Sequence, residues 1–195
     1  MNSQPPTQQL NNSSTTPLNM PLAFRKAAPA DTPAVLALVS SAYRGEHSRA
    51  GWTTEADLFS GARIDAAGVL AKISDPRGAV LLAHHPSDGA LVACCEVLRR
   101  DPDASYFGLF AVDPLCQAGG FGRLMLQRAE DYVREEWGVR RLEMHVIGTR
   151  EELIAWYLRR GYRRAEQTKP FPYDEIPTGS ALKDNYYFAV LDKEL

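Results

Sequence analysis

The sequence lacks an excess of charge of one sign and lacks a long apolar run. Its 195 residues carry 22 lysines and arginines against 24 aspartates and glutamates, a net charge of −2. We therefore expect no nucleic-acid partner held by a strongly basic surface, although a local basic patch around a phosphate site is compatible with this balance. No apolar run approaches the roughly 18 residues of a membrane span, so we expect no membrane partner.

Cysteine is also scarce, with Cys94, Cys95 and Cys116 making up the whole set. There is no CxxC pair and no histidine at zinc-finger spacing from a cysteine pair, so we expect no metal. We interpret the cysteines as small buried hydrophobes of a protein from a reducing compartment, which predicts a cytoplasmic location. Cys94 and Cys95 are neighbours in a predicted strand, so their side chains should point to opposite faces of the sheet.

The first 20 residues differ in composition from the rest of the chain. They contain no charged residue and are rich in Asn, Gln, Ser, Thr and Pro. Such a segment cannot bury enough apolar surface to offset the entropy of ordering it. It also lacks the basic and apolar regions of a signal peptide. We predict a disordered tail over residues 1–20 and a single domain over residues 21–195.

Hydrophobic periodicity predicts a mixed α/β domain. A helix should begin at Asp31-Thr32-Pro33 with Asp31 as its N-cap, and a loop should span residues 44–64. Asp65 should cap a second helix whose inner face carries Val69, Leu70 and Ile73. A three-stranded meander is then followed by strand, helix, strand, helix and strand. The predicted strands are Phe24–Ala27, Ala79–Ala83, Leu91–Leu98, Tyr106–Val112, Leu142–Val146, Tyr162–Gln167 and Tyr186–Leu191, with the later helices over 118–136 and up to Arg160.

The segment from Phe110 to Arg123 is the most informative part of the chain. A strand runs through Val112-Asp113-Pro114 into a glycine-containing turn, and a helix begins there. The first turn of a helix has unpaired N–H groups and the positive end of the helix dipole, so this turn is suited to bind an anion. A tight turn that binds nothing is the alternative. The P-loop pattern and the dinucleotide fingerprint Gly-x-Gly-x-x-Gly are both absent.

What remains is Gln117-x-x-Gly120-x-Gly122, which resembles the pyrophosphate loop of the GNAT family of acyl-CoA N-acyltransferases. A second segment, Ile154-Ala155-Trp156-Tyr157-Leu158-Arg159-Arg160-Gly161-Tyr162, resembles a further motif of that family and follows a strand as it does there. The resemblance implies a mostly antiparallel central sheet that is flanked by helices and has splayed central strands.

The resemblance also implies that acetyl-CoA is wedged between Tyr106–Val112 and Leu142–Val146. Backbone groups of Phe110 and Val112 would pair with the pantetheine arm, and N–H groups from Ala118 through Arg123 would hold the pyrophosphate. Arg150 stands where many members have an Asn that contacts the cofactor. It would reach a phosphate or a substrate carboxylate, or else lie at a solvated helix N-terminus. The implied cofactor-binding residues are Phe110, Ala111, Val112, Gln117, Ala118, Gly119, Gly120, Phe121, Gly122, Arg123 and Arg150.

Two residues are candidates for proton transfer. Tyr157 matches the family's general-acid tyrosine, and a phenol can protonate a departing thiolate at little cost; an aromatic packed on the helix face is the alternative. Glu96 is a lone carboxylate in an apolar strand and should lie across from Phe107 or Gly108. It is our candidate for the base that deprotonates the amine through a water, with an outward-facing carboxylate as the alternative. Glu143 and His145 share a strand face and are weaker candidates.

The acceptor amine should lie against the loops over 44–64 and 168–185. Long loops that carry aromatic and hydroxyl groups suit a pocket, and they equally suit packing on their own domain. The sequence thus predicts an N-acetyltransferase for a small-molecule amine, as a monomer or homodimer. A catalytically silent acyl-CoA sensor and a protein N-acetyltransferase stay open as alternatives. The candidate substrate-binding residues are Trp52, Thr53, Thr54, Phe171 and Tyr173.

Overall fold

The structure, a computed structural model, describes residues 22–101, 103–177 and 179–195. The predicted disordered tail over residues 1–20 lies outside the described residues. Seven strands form one sheet in the order β1-β2-β3-β4-β5-β7-β6. They are β1 (Ala23–Lys26), β2 (Gly78–His84), β3 (Leu91–Arg99), β4 (Ala104–Val112), β5 (Arg141–Ile147), β6 (Arg163–Pro170) and β7 (Tyr187–Glu194).

Helices cover both faces of this sheet, as predicted. Those on one face are α1 (Thr32–Tyr43) and α3 (Ala66–Ser74), and the long helix on the other face is α4 (Phe121–Trp137). The short helix α2 (Gly45–Ser48) follows α1, and α5 (Glu151–Leu158) follows β5. Among the described residues, no helix has both the length and the apolar character needed to cross a membrane.

The alternation of side chains along the central strands divides the core into two layers. Cys94 packs with α1 and α3, whereas its neighbour Cys95 packs on the α4 side, which confirms that the two side chains point to opposite faces. Strand β2 is buried on both faces, which explains why its sequence reads as a continuous apolar run. Burial of both sheet faces makes β2 and β3 a rigid support for the neighbouring strand β4.

Strands β4 and β5 are parallel but pair over only four residues. The pairing runs from Ala104 opposite Arg141 to Phe107 opposite Met144, and the strands separate beyond that point. All other strand pairs in the sheet are antiparallel. The predicted splay of the central strands is therefore confirmed.

A bulge in β4 lies where the strands separate. Glu96 of β3 pairs with Gly108 and Cys94 pairs with Ala111, so Leu109 and Phe110 together oppose the single residue between them. Leu109 has a φ of +45°, in the left-handed region that leucine rarely adopts. A bulge of this kind bends the strand and leaves backbone groups without a partner in the hydrogen-bond ladder with β3. These backbone groups of β4 lie where the gap begins.

Two local predictions in the first half of the chain need correction. Asp31 precedes α1 but does not cap it, because its carboxylate accepts from the N–H of Ala28 at 2.8 Å and from the guanidinium of Arg25 at 2.7 Å. Leu70 was expected on the inner face of α3 but is 41% exposed. The cap predicted at Asp65 is confirmed, since its side chain accepts from the N–H of Gly68 at 2.7 Å.

Candidate active site

Two cavities adjoin the part of the sheet where β4 and β5 separate. The first, which we call the α4 cavity, has a volume of about 270 Å³ and adjoins the N-terminus of α4. The second, the β5 cavity, has a volume of about 360 Å³ and is lined by Met144–Ile147 of β5 together with residues of the loops over 44–64 and 171–180. Tyr43, Phe110, Arg150, Leu153 and Tyr157 line both cavities, so the two spaces adjoin one another at these side chains.

The floor of the α4 cavity is built from a helix N-terminus that carries two glycines. Gly120 precedes α4 with a φ of +77°, and a Cβ atom placed on it would meet no atom within 4 Å. A Cβ on Gly122 would meet Phe110, Trp156 and Val112 at 3.5–3.6 Å. The backbone at Gly120 is thus open to a ligand that approaches closely. The N–H groups of Phe121 and Gly122 precede the first hydrogen-bonded turn of α4, whereas the N–H of Arg123 donates to the Gly120 carbonyl at 3.0 Å.

Three arginines line the α4 cavity, and no carboxylate does so among the described residues. They are Arg123, Arg150 and Arg160. Arg160 stacks on the Trp156 ring with its Cζ 3.5 Å from the centroid and donates to the Trp156 carbonyl at 2.6 Å. Burial, together with the charges of Arg159 and Arg123, lowers the pKa of Arg160, as expected for cations gathered without a counter-ion. The arrangement favours a polyanion in this cavity.

Most of the residues predicted to bind a cofactor come together here. Gly119 and Phe121 do not line the cavity, whereas Phe110, Ala111, Val112, Gln117, Ala118, Gly120, Gly122, Arg123 and Arg150 all do. Gln117 donates from its Nε2 to the Val112 carbonyl at 3.3 Å, and its buried Oε1 has no partner among the described residues. The Phe110 carbonyl accepts a hydrogen bond from the Tyr43 hydroxyl.

Tyr157 lies on α5 at the junction of the two cavities. It is buried, and its ring makes edge contacts with Trp156 and Tyr162 at centroid distances of 5.0 and 5.7 Å. Burial raises the pKa of Tyr157 well above its usual range, with Tyr43 adding to this effect and Arg150 opposing it. The phenol therefore stays protonated at physiological pH and has a proton to donate.

Glu96 lies in the β5 cavity opposite Gly108, at the register that the predicted hairpin required. It is buried, and the Lys72 Nζ donates to its Oε2 at 2.7 Å. Of the weaker candidates, His145 lines the β5 cavity, and its Nε2 lies 2.9 Å from both Glu143 Oε1 and Lys169 Nζ. Burial and the charge of Lys169 lower the pKa of His145, which favours the neutral imidazole, while Glu143 opposes this shift.

A buried carboxylate that the sequence did not single out organises the loop over 44–64. Glu55 is 2% exposed and accepts from three guanidinium groups, those of Arg44 at 2.9 Å, Arg63 at 2.8 Å and Arg150 at 2.8 Å. Burial alone would raise the pKa of Glu55, but Arg63, Arg150 and Arg44 together hold it below its usual range. The only signal in the sequence was a loop that contains three arginines, Arg44, Arg49 and Arg63, together with acidic residues.

The candidate acceptor-binding residues occupy different places. Trp52 and Thr53 line the α4 cavity, where Thr53 Oγ1 accepts from Arg150 at 2.6 Å. Thr54 lines neither cavity and forms a hydrogen bond with Ser48 at 2.6 Å. Phe171 lines the β5 cavity. Tyr173 uses its hydroxyl to accept from the N–H of Tyr186 at 2.6 Å, so it fixes the loop that carries Phe171.

Within the described ranges, no group of three or more His, Cys, Asp or Glu side chains is arranged to hold a metal ion. The charged clusters around the two cavities consist of arginines and lysines with single carboxylates.

Comparison with known proteins points to one family. The model of the acetyltransferase (GNAT) family matches residues 34–162, which is more than half of the chain. Among curated relatives, a mycothiol acetyltransferase from Salinispora tropica is 29% identical over 141 residues, or 69% of this chain. The chain spans less than half the length of the curated relatives it matches, with 27% and 42% of them covered.

Solved structures share the fold at low sequence identity. The ribosomal-protein-S18-alanine N-acetyltransferase from Escherichia coli is similar with a TM-score of 0.65 and 16% identity, covering 89% of this chain and 93% of that one. A GNAT family acetyltransferase from Elizabethkingia anophelis with acetyl-CoA bound gives a TM-score of 0.61 at 13% identity, covering 89% and 98%. At such identities the likeness concerns the fold alone.

Proposed function

The chain belongs to the acetyltransferase (GNAT) family, and from this premise we propose that it is an N-acetyltransferase that transfers the acetyl group of acetyl-CoA to the amine of a small molecule. One observation carries the proposal. A cavity with three arginines, no carboxylate among the described residues and a helix N-terminus adjoins, at Tyr157, a second cavity large enough for a small molecule.

The α4 cavity fits the pyrophosphate end of acetyl-CoA. The N–H groups of Phe121 and Gly122 beside the open backbone at Gly120 can donate to phosphate oxygens, and the side chains of Arg123 and Arg160 supply positive charge. The Trp156 ring and the bulged segment of β4 provide apolar and backbone surface for the pantetheine arm. When bound, acetyl-CoA supplies the acetyl group as an activated thioester.

Tyr157 is suited to donate a proton or a hydrogen bond to the sulfur that leaves. An ordinary phenol has a pKa near 10 and a thiol near 8.5, so even without burial the transfer of a full proton is uphill by about 2 kcal/mol. Burial raises the pKa of Tyr157 and enlarges this difference, while the positive charge of Arg150 reduces it. We infer that Tyr157 stabilises the sulfur mainly as a hydrogen-bond donor and passes its proton late.

Glu96 is our candidate for the group that helps the amine lose its proton before attack. Its carboxylate lines the β5 cavity close to the strand gap, and Lys72 donates to Oε2 alone, so Oε1 can still accept a hydrogen bond. Because Glu96 is buried in a strand that is fixed on both sides, a water between it and the amine would be held in a defined position.

The test is release of free thiol from acetyl-CoA with a panel of amines, with CoA affinity measured by calorimetry on the same preparation. The panel contains polyamines, amino acids and a peptide with an N-terminal alanine. Thiol release that depends on a small amine supports the proposal. Tight CoA binding with no thiol release from any amine would instead mean a sensor, and turnover of the peptide alone would mean a protein acetyltransferase. Either result would overturn the proposed function.

A further inference from the structure

The arginines around the active site fall into groups according to the cavity that they line. Arg123 and Arg160 line only the α4 cavity. Arg44 and Arg63 line only the β5 cavity, and Arg150 lines both. Arg123 and Arg160 would meet the negative charge of a bound acetyl-CoA. That charge therefore does not explain the two further arginines in the β5 cavity, where the acceptor amine would bind.

The acceptor-side arginines share a single carboxylate. Arg44, Arg63 and Arg150 all donate to Glu55, so two positive charges in this cluster are left without a partner among the described residues. The other two carboxylates that line the β5 cavity do not change this. Glu96 is paired with Lys72, and Glu175 is exposed and forms no ion pair with a described residue.

Many donors of this cluster are free. Of its nine guanidinium nitrogens, only four form hydrogen bonds to described residues, namely the Nη1 atoms of the three arginines and the Nη2 of Arg150. Arg63 is the most accessible member, with 30% of its side chain exposed, against 15% for Arg44 and 11% for Arg150. Its guanidinium stacks on the Tyr43 ring at 3.9 Å, which fixes the plane in which its free Nε and Nη2 can donate. A planar fork held in this way matches a carboxylate.

We propose that the acceptor is an amine that also carries a carboxylate, and that Arg63, supported by Arg44, binds this carboxylate in the β5 cavity. This inference rests on the proposed function and names the substrate class of the same site. A positively charged cluster also disfavours the ammonium form of the acceptor, so it raises the fraction of neutral amine that can attack.

The experiment compares α-amino acids with their own primary amides as acceptors, at saturating acetyl-CoA, in the wild type and in Arg63→Met. The two members of each pair have nearly the same shape, but the amide lacks the negative charge. The amide has the more readily deprotonated amine, so the comparison is biased against the proposal. A comparison of aminomethylphosphonate with glycine as acceptors shows whether the site prefers a phosphonate or a carboxylate. Arg49→Met is the matched control, because Arg49 lies in the same loop but pairs with exposed Asp57 and Glu46 and lines neither cavity.

We expect kcat/KM for the preferred amino acid to exceed that of its amide by about 10- to 100-fold, the range for a charge-assisted hydrogen-bonded contact. Arg63→Met should reduce this ratio to near one, through loss of the acid's turnover and not of the amide's, with CoA affinity unchanged. Arg49→Met should keep the wild-type ratio.

Four results would overturn the inference. If amides or polyamines are acetylated as well as the acids, or if Arg63→Met keeps the ratio, the cluster only fixes the loop to α5 and the proposed function still stands. If the phosphonate is preferred, the anion is not a carboxylate. If no amine releases thiol, the proposed function itself fails, and this inference fails with it.

Discussion

Replacing Tyr157 with phenylalanine removes one hydroxyl from the junction of the two cavities and leaves the ring in place. Edge contacts with Trp156 and Tyr162 belong to the ring, so we expect the melting temperature to stay close to that of the wild type. A hydrogen bond to a charged sulfur is worth about 1.5–3 kcal/mol, or roughly 10- to 150-fold in rate. A positioned general acid contributes about 10²- to 10⁴-fold. Because burial raises the pKa of Tyr157 and opposes full proton transfer, we expect kcat to fall near the lower end, by about 10²-fold.

Tyr162→Phe is the matched control for this change. Tyr162 is also buried, but it lines neither cavity, and its hydroxyl donates to Glu130 at 3.1 Å. The substitution leaves buried Glu130 with Lys193 as its remaining partner. We expect it to lower the free energy of unfolding by about 1–3 kcal/mol and the melting temperature by several degrees, with kcat nearly unchanged.

The assay measures kcat from thiol release, CoA affinity by calorimetry and unfolding by thermal melts on the three proteins. The loss in Tyr157→Phe should shrink with acyl donors whose thiol is more acidic, because a better leaving group needs less help. Full turnover in Tyr157→Phe would show that the tyrosine is only packing. A parallel fall of CoA affinity and kcat would show that Tyr157 holds the cofactor. That result would refute the proposal that Tyr157 donates to the leaving sulfur at the junction of the two cavities.

Three further changes test other parts of the site. Gly120→Glu should weaken CoA binding at least 10-fold in calorimetry. Gly138→Glu is its control, because Gly138 has a similar positive φ of +66° and also has open space around its Cβ position. It should therefore strain the backbone to a similar extent but leave CoA affinity unchanged. Glu96→Gln should lower kcat/KM near neutral pH and approach the wild type at high pH, where the amine is already neutral; a constant deficit across the pH profile would count against a role as base. Glu55→Gln should cost about 3–5 kcal/mol in chemical denaturation, because it leaves the partly buried guanidinium groups of Arg44 and Arg150 without a counter-charge, whereas Asp57→Asn on the exposed side of the loop should cost little.

The pH dependence of Glu55 has a definite sign. Its pKa in the folded protein is lower than its ordinary value of 4.5, so the unfolded chain binds its proton first as the pH falls. The stability that Glu55 contributes is therefore complete above pH 4.5 and is lost as the pH drops through the folded-state pKa. Denaturation curves between pH 6 and 3 should show this loss in the wild type, and the loss should be smaller in Glu55→Gln. An equal loss in both proteins would contradict the assignment of Glu55 as an ionised hub.

The sequence by itself determined the features that depend on neighbours along the chain. The glycine turn before α4, the meander of β2 to β4 and the register of Glu96 opposite Gly108 follow from turn residues, from the two-residue period of strands and from a short connection. The arrangement of Gln117, Gly120 and Gly122 likewise lies within one local segment, so its place beside the α4 cavity could be predicted before the fold was known.

Only the tertiary structure decided what depends on residues far apart in sequence. Strand β7 inserts between β5 and β6, and the gap between β4 and β5 opens after Phe107 and Met144. The position of each feature depends on the packing of whole elements, so no periodic pattern in the sequence predicts it. The cluster on Glu55 needed the loop to meet Arg150, which is 95 residues away in the chain. A charged side chain in a loop is predicted to be exposed, because charged groups are rarely buried without a partner. The partner of Glu55 is distant in sequence, so it can be identified only from the folded structure.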